Sequence, residues 1–255
     1  MRTTKVYDLP LRLFHWLFAG FFVVSFIIGK TVDDDSVIFS YHMISGILLT
    51  GLVIWRLAWG FLGSHHSRFF NFPLNLLELK DYFYGILSGS RRKWAGHNPA
   101  SSWASIAMFA LALGLGTTGY LMTSNQGNSF DMEDIHELLA HGFLVVVILH
   151  VAGIALHTLR HKDGIAFSMI DGKKSEVDMT PAIPSPRPVA AVVLLGLVLS
   201  SAVYLFSQFD SQTRALNLMG TTLQLGESEN ENENTGADSQ MSDTTEPKET
   251  ENDDD

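Results

Sequence analysis

The stretch HELLAHGFLVVVILH, His136–His150, places three histidines in a run that otherwise reads as a helix crossing a membrane. Ionisable side chains at membrane depth are costly and mark functional positions. At about 100° per residue, His150 lies only about 40° round the helix from His136, while His141 points about 140° away. The rise from His136 to His150 is about 21 Å, most of a hydrocarbon core roughly 30 Å thick. The two histidines that share a face therefore lie near opposite membrane surfaces.

Working outward, the chain of 255 residues contains five stretches apolar enough to span a bilayer, a crossing that takes roughly 20 helical residues. They run approximately over Leu11–Gly29, Tyr41–Leu62, Trp103–Met122, Ile135–Leu159 and Pro188–Phe206. No small-residue cleavage site follows the first, and GKTVDDD comes directly after it, so it reads as a retained helix. The segment FPLNLLELKDYFYGILSG, 72–89, is amphipathic and too short to cross, and is expected to lie on the inner membrane surface.

The net charge of -10 belongs to one end of the chain. Residues 207–255 hold 13 Asp/Glu against 2 Lys/Arg, which leaves residues 1–206 at +1. The last part, from GESENENENTG onward, has almost nothing apolar to bury and is expected to be a disordered acidic tail. Lys and Arg also orient the spans. Arg2, Lys5 and Arg12, then Arg68, Lys80, Arg91, Arg92 and Lys93, then Arg160, Lys162, Lys173, Lys174 and Arg187 all fall on one side. The positive-inside rule makes that side, and the N-terminus, cytoplasmic, with the tail outside. The chain thus reads as an all-α, multi-pass membrane protein. Residues 1–170 are expected to hold the first four spans, 171–187 a linker, 188–206 a fifth helix and 207–255 the tail.

Depths can now be assigned to the other histidines. The first span enters from inside, so His15 lies level with His150. The second enters from outside, so His42 lies level with His136. Two pairs are stacked across the membrane. A bare metal ion wants three or four ligands, and the chain has no Cys to complete a tetrahedral site. Haem lacks only two axial ligands, which a histidine pair supplies. Without Cys no covalent attachment of the C-x-x-C-H kind can form, so two non-covalent b haems are expected, suited to one-electron transfer. Gly20, Gly46 and Gly153 near these histidines remove bulk where a porphyrin would approach, and small residues are also common at helix contacts in membranes. Arg12 and Arg56, near inner ends of spans, are candidates for the propionates, and His157 is an alternative to His150 on nearly the same face. The competing class is a histidine-lined metal or proton transporter.

Four segments, YDLPLRLFHWLF, HMISGILLTGLVIWRLAWGFLG, GHNPA and IHELLAHGFLVVVILHVAGIALHTLRHKDG, resemble the bacterial cytochrome b561 family, which includes the b-type cytochrome subunit of nickel-iron hydrogenases. The resemblance covers roughly residues 5–170. It implies a four-helix inner-membrane bundle with two b haems, held by His15 with His150 and by His42 with His136. It also implies transfer of electrons between the quinone pool and a redox partner. A c-type cytochrome or reductase docking near His42 and His136 is the leading expectation for that partner. A hydrogenase subunit, or superoxide oxidation coupled to quinone reduction, is the alternative. Lipid surrounds the chain, no nucleic-acid partner is expected, and a homodimer is left open.

Overall fold

The computed structural model describes residues 3–88, 97–124, 129–161, 167–175 and 182–226. The acidic residues from 227 onward, with Arg91, Arg92, Lys93 and Lys162, lie outside these. Among the described residues five helices are long and apolar enough to cross a membrane: α1 Leu9–Thr31, α2 Phe39–Leu62, α4 Pro99–Thr123, α5 Ser129–His161 and α7 Pro188–Gln208. Between α2 and α4 lies α3, Leu76–Ser88, and a single turn, α6, spans Ser168–Asp171. The architecture is that of an all-α membrane protein.

The helix starts are written locally. Asp8 caps α1 by accepting from the Leu11 amide at 3.0 Å, and Asn98 caps α4 by accepting from the Ser101 amide at 2.7 Å. In each helix a proline stands in the first turn, where its missing N–H is not needed. With 33 residues, α5 is about 50 Å long and extends well beyond a hydrocarbon core of roughly 30 Å.

α1 packs on α2 and α4 on α5 as neighbours, α2 joins the two hairpins through α4, and α7 lies outside against α1. The core is built from Phe14, Leu52, Val53, Phe109, Phe143 and Leu194. α1 and α5 meet through rings, Phe22 on Phe143 at 4.9 Å between centroids. Meanwhile Val145, Ile148, Leu149 and Val151 of α5 are exposed, as residues facing lipid must be, because hydrocarbon demands no polar surface. The exposed Leu76, Leu77, Phe83 and Tyr84 of α3 give that short helix an apolar surface suited to the membrane boundary.

Short strands tie down both ends of the bundle. At the end where the chain begins, called here the near end, β1 Thr3–Lys5 pairs antiparallel with β2 Lys173–Ser175. The Val6 and Tyr7 amides both donate to Gly172 O. Gly172, at φ 76°, ends α6 in the left-handed region.

At the far end the expectation of a tail disordered from residue 207 needs correction. β3 Phe209–Asp210, β4 Ala215–Leu218 and β5 Thr221–Gln224 form an antiparallel meander. Leu216 pairs with Leu223, and both are buried with Leu225 against Ile44 and Leu48 of α2 and Leu205 of α7. The Ser40 hydroxyl donates to Leu225 O at 2.8 Å. Charge averaged over 49 residues hid this alternation of leucines, and Met219–Gly220, at φ 49° and 91°, makes the two-residue hairpin turn.

Candidate haem-binding sites

The far-end site draws on all four bundle helices. His42 of α2 and His136 of α5 face each other with ring centroids 6.4 Å apart and planes inclined at 68°. Two imidazoles sharing one metal ion at about 2.0–2.1 Å per nitrogen have centroids roughly 6.5 Å apart. The spacing is therefore that of a bis-imidazole site.

Hydrogen bonds set the tautomers. His42 Nδ1 lies 2.8 Å from the Ser25 carbonyl oxygen, which can only accept, so Nδ1 carries the proton. His136 Nδ1 lies 2.7 Å from Thr118 Oγ1, and the Thr118 hydroxyl donates to Gly114 O at 3.0 Å, leaving its lone pair to accept from the ring. In both rings Nε2 is left as the metal-binding nitrogen. His42 also stacks on Phe39 at 5.3 Å. A side chain on Gly29 would come within 2.8 Å of His42 Nδ1, so the residue at that position of α1 must be glycine for the ring to lie where it does. Beside Gly46, one turn beyond His42, a Cβ would meet no protein atom within 4 Å. That open strip next to the ring pair fits a flat macrocycle.

Thr118→Val removes the hydroxyl that orients His136 and is expected to weaken haem retention at the far end by about 10- to 100-fold, the usual effect of losing a partner that orients a ligand. Ser25→Ala removes only the hydroxyl 3.1 Å from His42 Nδ1 and leaves the carbonyl that accepts from it, so its effect is expected to be smaller. Titrating the protein with haem and following the Soret band checks this. Unchanged retention in Thr118→Val would mean that the His136 ring is held by packing alone.

At the near end, His15 of α1 and His150 of α5 line a cavity of about 1000 Å³. They are close enough to interact electrostatically. Its walls are largely apolar, with Phe14, Phe18, Phe22, Met108, Phe143 and Val147 among them. His15 Nδ1 is buried with no hydrogen-bond partner, and its ring meets Trp16 edge-on at 5.2 Å. Gly153 borders the cavity, and a Cβ there would touch nothing within 4 Å. An apolar slot with an unsatisfied imidazole nitrogen and a bare glycine wall fits a large flat ligand bound through nitrogen.

The other candidates divide. His157 also lines the cavity. Arg56 reaches its wall, 1% exposed, with its guanidinium over the Phe69 ring at 4.8 Å. Arg12 instead packs against the near-end strap, where a Cβ on Gly172 would lie 3.3 Å from its Nη1, and it is not among the residues around the cavity. His141 is exposed and takes no part.

Sequence reasoning passed over Ser25, Thr118, Gly29 and His97. The rule that matched histidines by depth would have found Ser25 and Thr118 had it been extended to hydroxyls, since they lie at the depth of the rings they orient. His97 is drawn in by folding. One face of its ring borders the cavity, and it packs on Phe72 at 4.4 Å and on Tyr7 at 5.8 Å. Burial, with Arg56 and Lys174 nearby, holds its imidazole well below the ordinary value, so it is neutral.

Residues 6–172 match the model of the prokaryotic cytochrome b561 family. Among curated relatives, the chain is 25% identical over 214 residues to a probable Ni/Fe-hydrogenase B-type cytochrome subunit of Bradyrhizobium diazoefficiens, covering 68% of this chain and 86% of that one. It is 25% identical to the protein of the same name from Azotobacter chroococcum, over 69% and 90% of the two chains. It is 24% identical to the probable Ni/Fe-hydrogenase 1 B-type cytochrome subunit of Escherichia coli, over 67% and 90%. No solved structure matches significantly. Histidine pairs on spanning helices and a family match across the whole four-helix bundle agree: the chain belongs to the prokaryotic cytochrome b561 family, as a multi-pass membrane cytochrome that carries b-type haem and transfers electrons.

Proposed function

We propose that this cytochrome holds two b haems, one between His42 and His136 and one between His15 and His150, and relays electrons between the membrane quinone pool and a redox partner. The observation that carries this reading is the His42–His136 pair, with its spacing of 6.4 Å and both Nδ1 atoms engaged by Ser25 and Thr118. When bound, b haem supplies a one-electron redox couple, and two axial histidines leave no open coordination position for oxygen. The chain orients the imidazoles, keeps water from the near-end cavity with apolar walls, and spaces the two pairs along α5. Basic residues in the near-end segments support a cytoplasmic N-terminus, with the His42–His136 pair towards the outer surface.

A c-type cytochrome or reductase docking at the far end is the leading reading for the partner. The names of the curated relatives favour a second one, a nickel-iron hydrogenase, for which this chain would be the membrane electron acceptor. Among the described residues no three of His, Cys, Asp and Glu gather as a bare metal ion would require, which speaks against the transporter class.

Purified chain is expected to show reduced haem b bands and two haems per chain by pyridine haemochrome assay. Colourless protein holding stoichiometric zinc or copper would refute the carrier. Affinity purification from native membranes then separates the partners, because hydrogenase subunits or a c-type cytochrome should be retained with the chain.

A further inference from the structure

The near-end cavity is bounded on one side by groups that the paired imidazoles do not use. Arg56 donates through Nη2 to Ser67 O at 3.0 Å, yet its Nη1 is fully buried with no hydrogen-bond partner. His97 Nδ1 is in the same state. Lys174, itself buried, holds its ammonium 5.4 Å from the centre of the Tyr7 ring. All three line the cavity. Asp8, the fully buried carboxylate in this region, already accepts from Leu11, Ser64 and Ser67 and makes no hydrogen bond to Arg56 Nη1 or His97 Nδ1. Unpaired buried donors are expensive. A wall that sets two of them beside a buried ammonium is complementary to an acceptor that arrives with negative charge.

We propose that this wall is a carboxylate-binding subsite, in which His97, Arg56 and Lys174 together receive an ionised carboxylate carried on the edge of the flat ligand held by His15 and His150. The subsite rests on the near-end haem site proposed above, and the carboxylates in question are the haem propionates. As the Nδ1–H tautomer, neutral His97 donates one hydrogen bond, while Arg56 and Lys174 supply the charge. The near end therefore distinguishes haem from the same macrocycle with esterified side chains. His97 and Lys174 position the ligand and stay off the iron.

Full-length chain from haem-depleted cells, titrated with haem and with its dimethyl ester, tests this. The wild type is expected to bind haem at the near end about 10- to 100-fold tighter than the ester, as for one hydrogen bond to a charged group. His97→Leu and Lys174→Met should each reduce that preference severalfold or more while binding the ester as the wild type does, and His97→Gln, which keeps an N–H donor, should restore most of it. A His97 that merely packs against Phe72 and Tyr7 would lower both affinities together in His97→Leu, and that outcome overturns the proposal. Equal affinity of the wild type for haem and ester overturns it as well. Failure of the wild type to bind either compound at His15 and His150 removes the near-end haem site itself, and the subsite with it.

Discussion

Replacing His42 or His136 with alanine is expected to remove the far-end haem and spare the near-end one, and replacing His15 or His150 to do the reverse. Each site has only two axial positions to offer, so loss of one imidazole leaves no second protein ligand at that level of the membrane. The pyridine haemochrome of each purified variant should fall from two haems per chain to one, and the redox titration from two components to one. The two sets of variants should retain different components. The same remaining component in all four variants would disprove the pairing. Retention of both haems in His150→Ala would transfer the near-end ligand to His157, which faces the same cavity.

A large loss of stability is expected from Asp8→Ala, although Asp8 touches neither histidine pair. Its carboxylate is fully buried and accepts from the Leu11 amide at 3.0 Å, the Ser64 amide at 3.2 Å and the Ser67 hydroxyl at 3.0 Å, with the Trp59 indole at 3.3 Å. It joins the start of α1 to the end of α2, and it faces the buried charge of Arg56. Alanine would strand these donors, at about 1–3 kcal/mol for each that stays buried, and would remove the carboxylate that interacts electrostatically with Arg56. Thermal unfolding in detergent should show a clear drop in midpoint for Asp8→Ala. Asp8→Asn, which keeps one accepting oxygen, should fall in between. A midpoint for Asp8→Ala within a degree or two of the wild type would show that these bonds contribute little.

The features that the sequence discloses are those that depend on one helix at a time. Span length, the face shared by His136 and His150, and the depth of His15 and His42 all follow from periodicity and rise, and the helices that bear them appear where expected. What escapes is set by contacts between segments. Ser25 and Thr118 have meaning only once α1 lies beside α2 and α4 beside α5. His97 stands two residues before α4, in sequence that reads as an ordinary loop, and reaches the cavity because Phe72 and Tyr7 close over it. Leu216, Leu223 and Leu225 were masked by the acidic residues that follow, since composition averages over a segment whose first third folds and packs.

The meander that covers the start of α2 also imposes a schedule. Ser40 and Leu225, joined by a hydrogen bond, are 185 residues apart in the chain. At about 5–20 residues per second, ribosomal synthesis delivers the covering strand roughly 10–40 s after the helix it covers. Throughout that interval α2, with His42 near its first turn, sits in the membrane without its cap. The start of α2 is thus uncovered longest while the chain is being made, and its bond to Leu225 forms late, after all five spans have been synthesised.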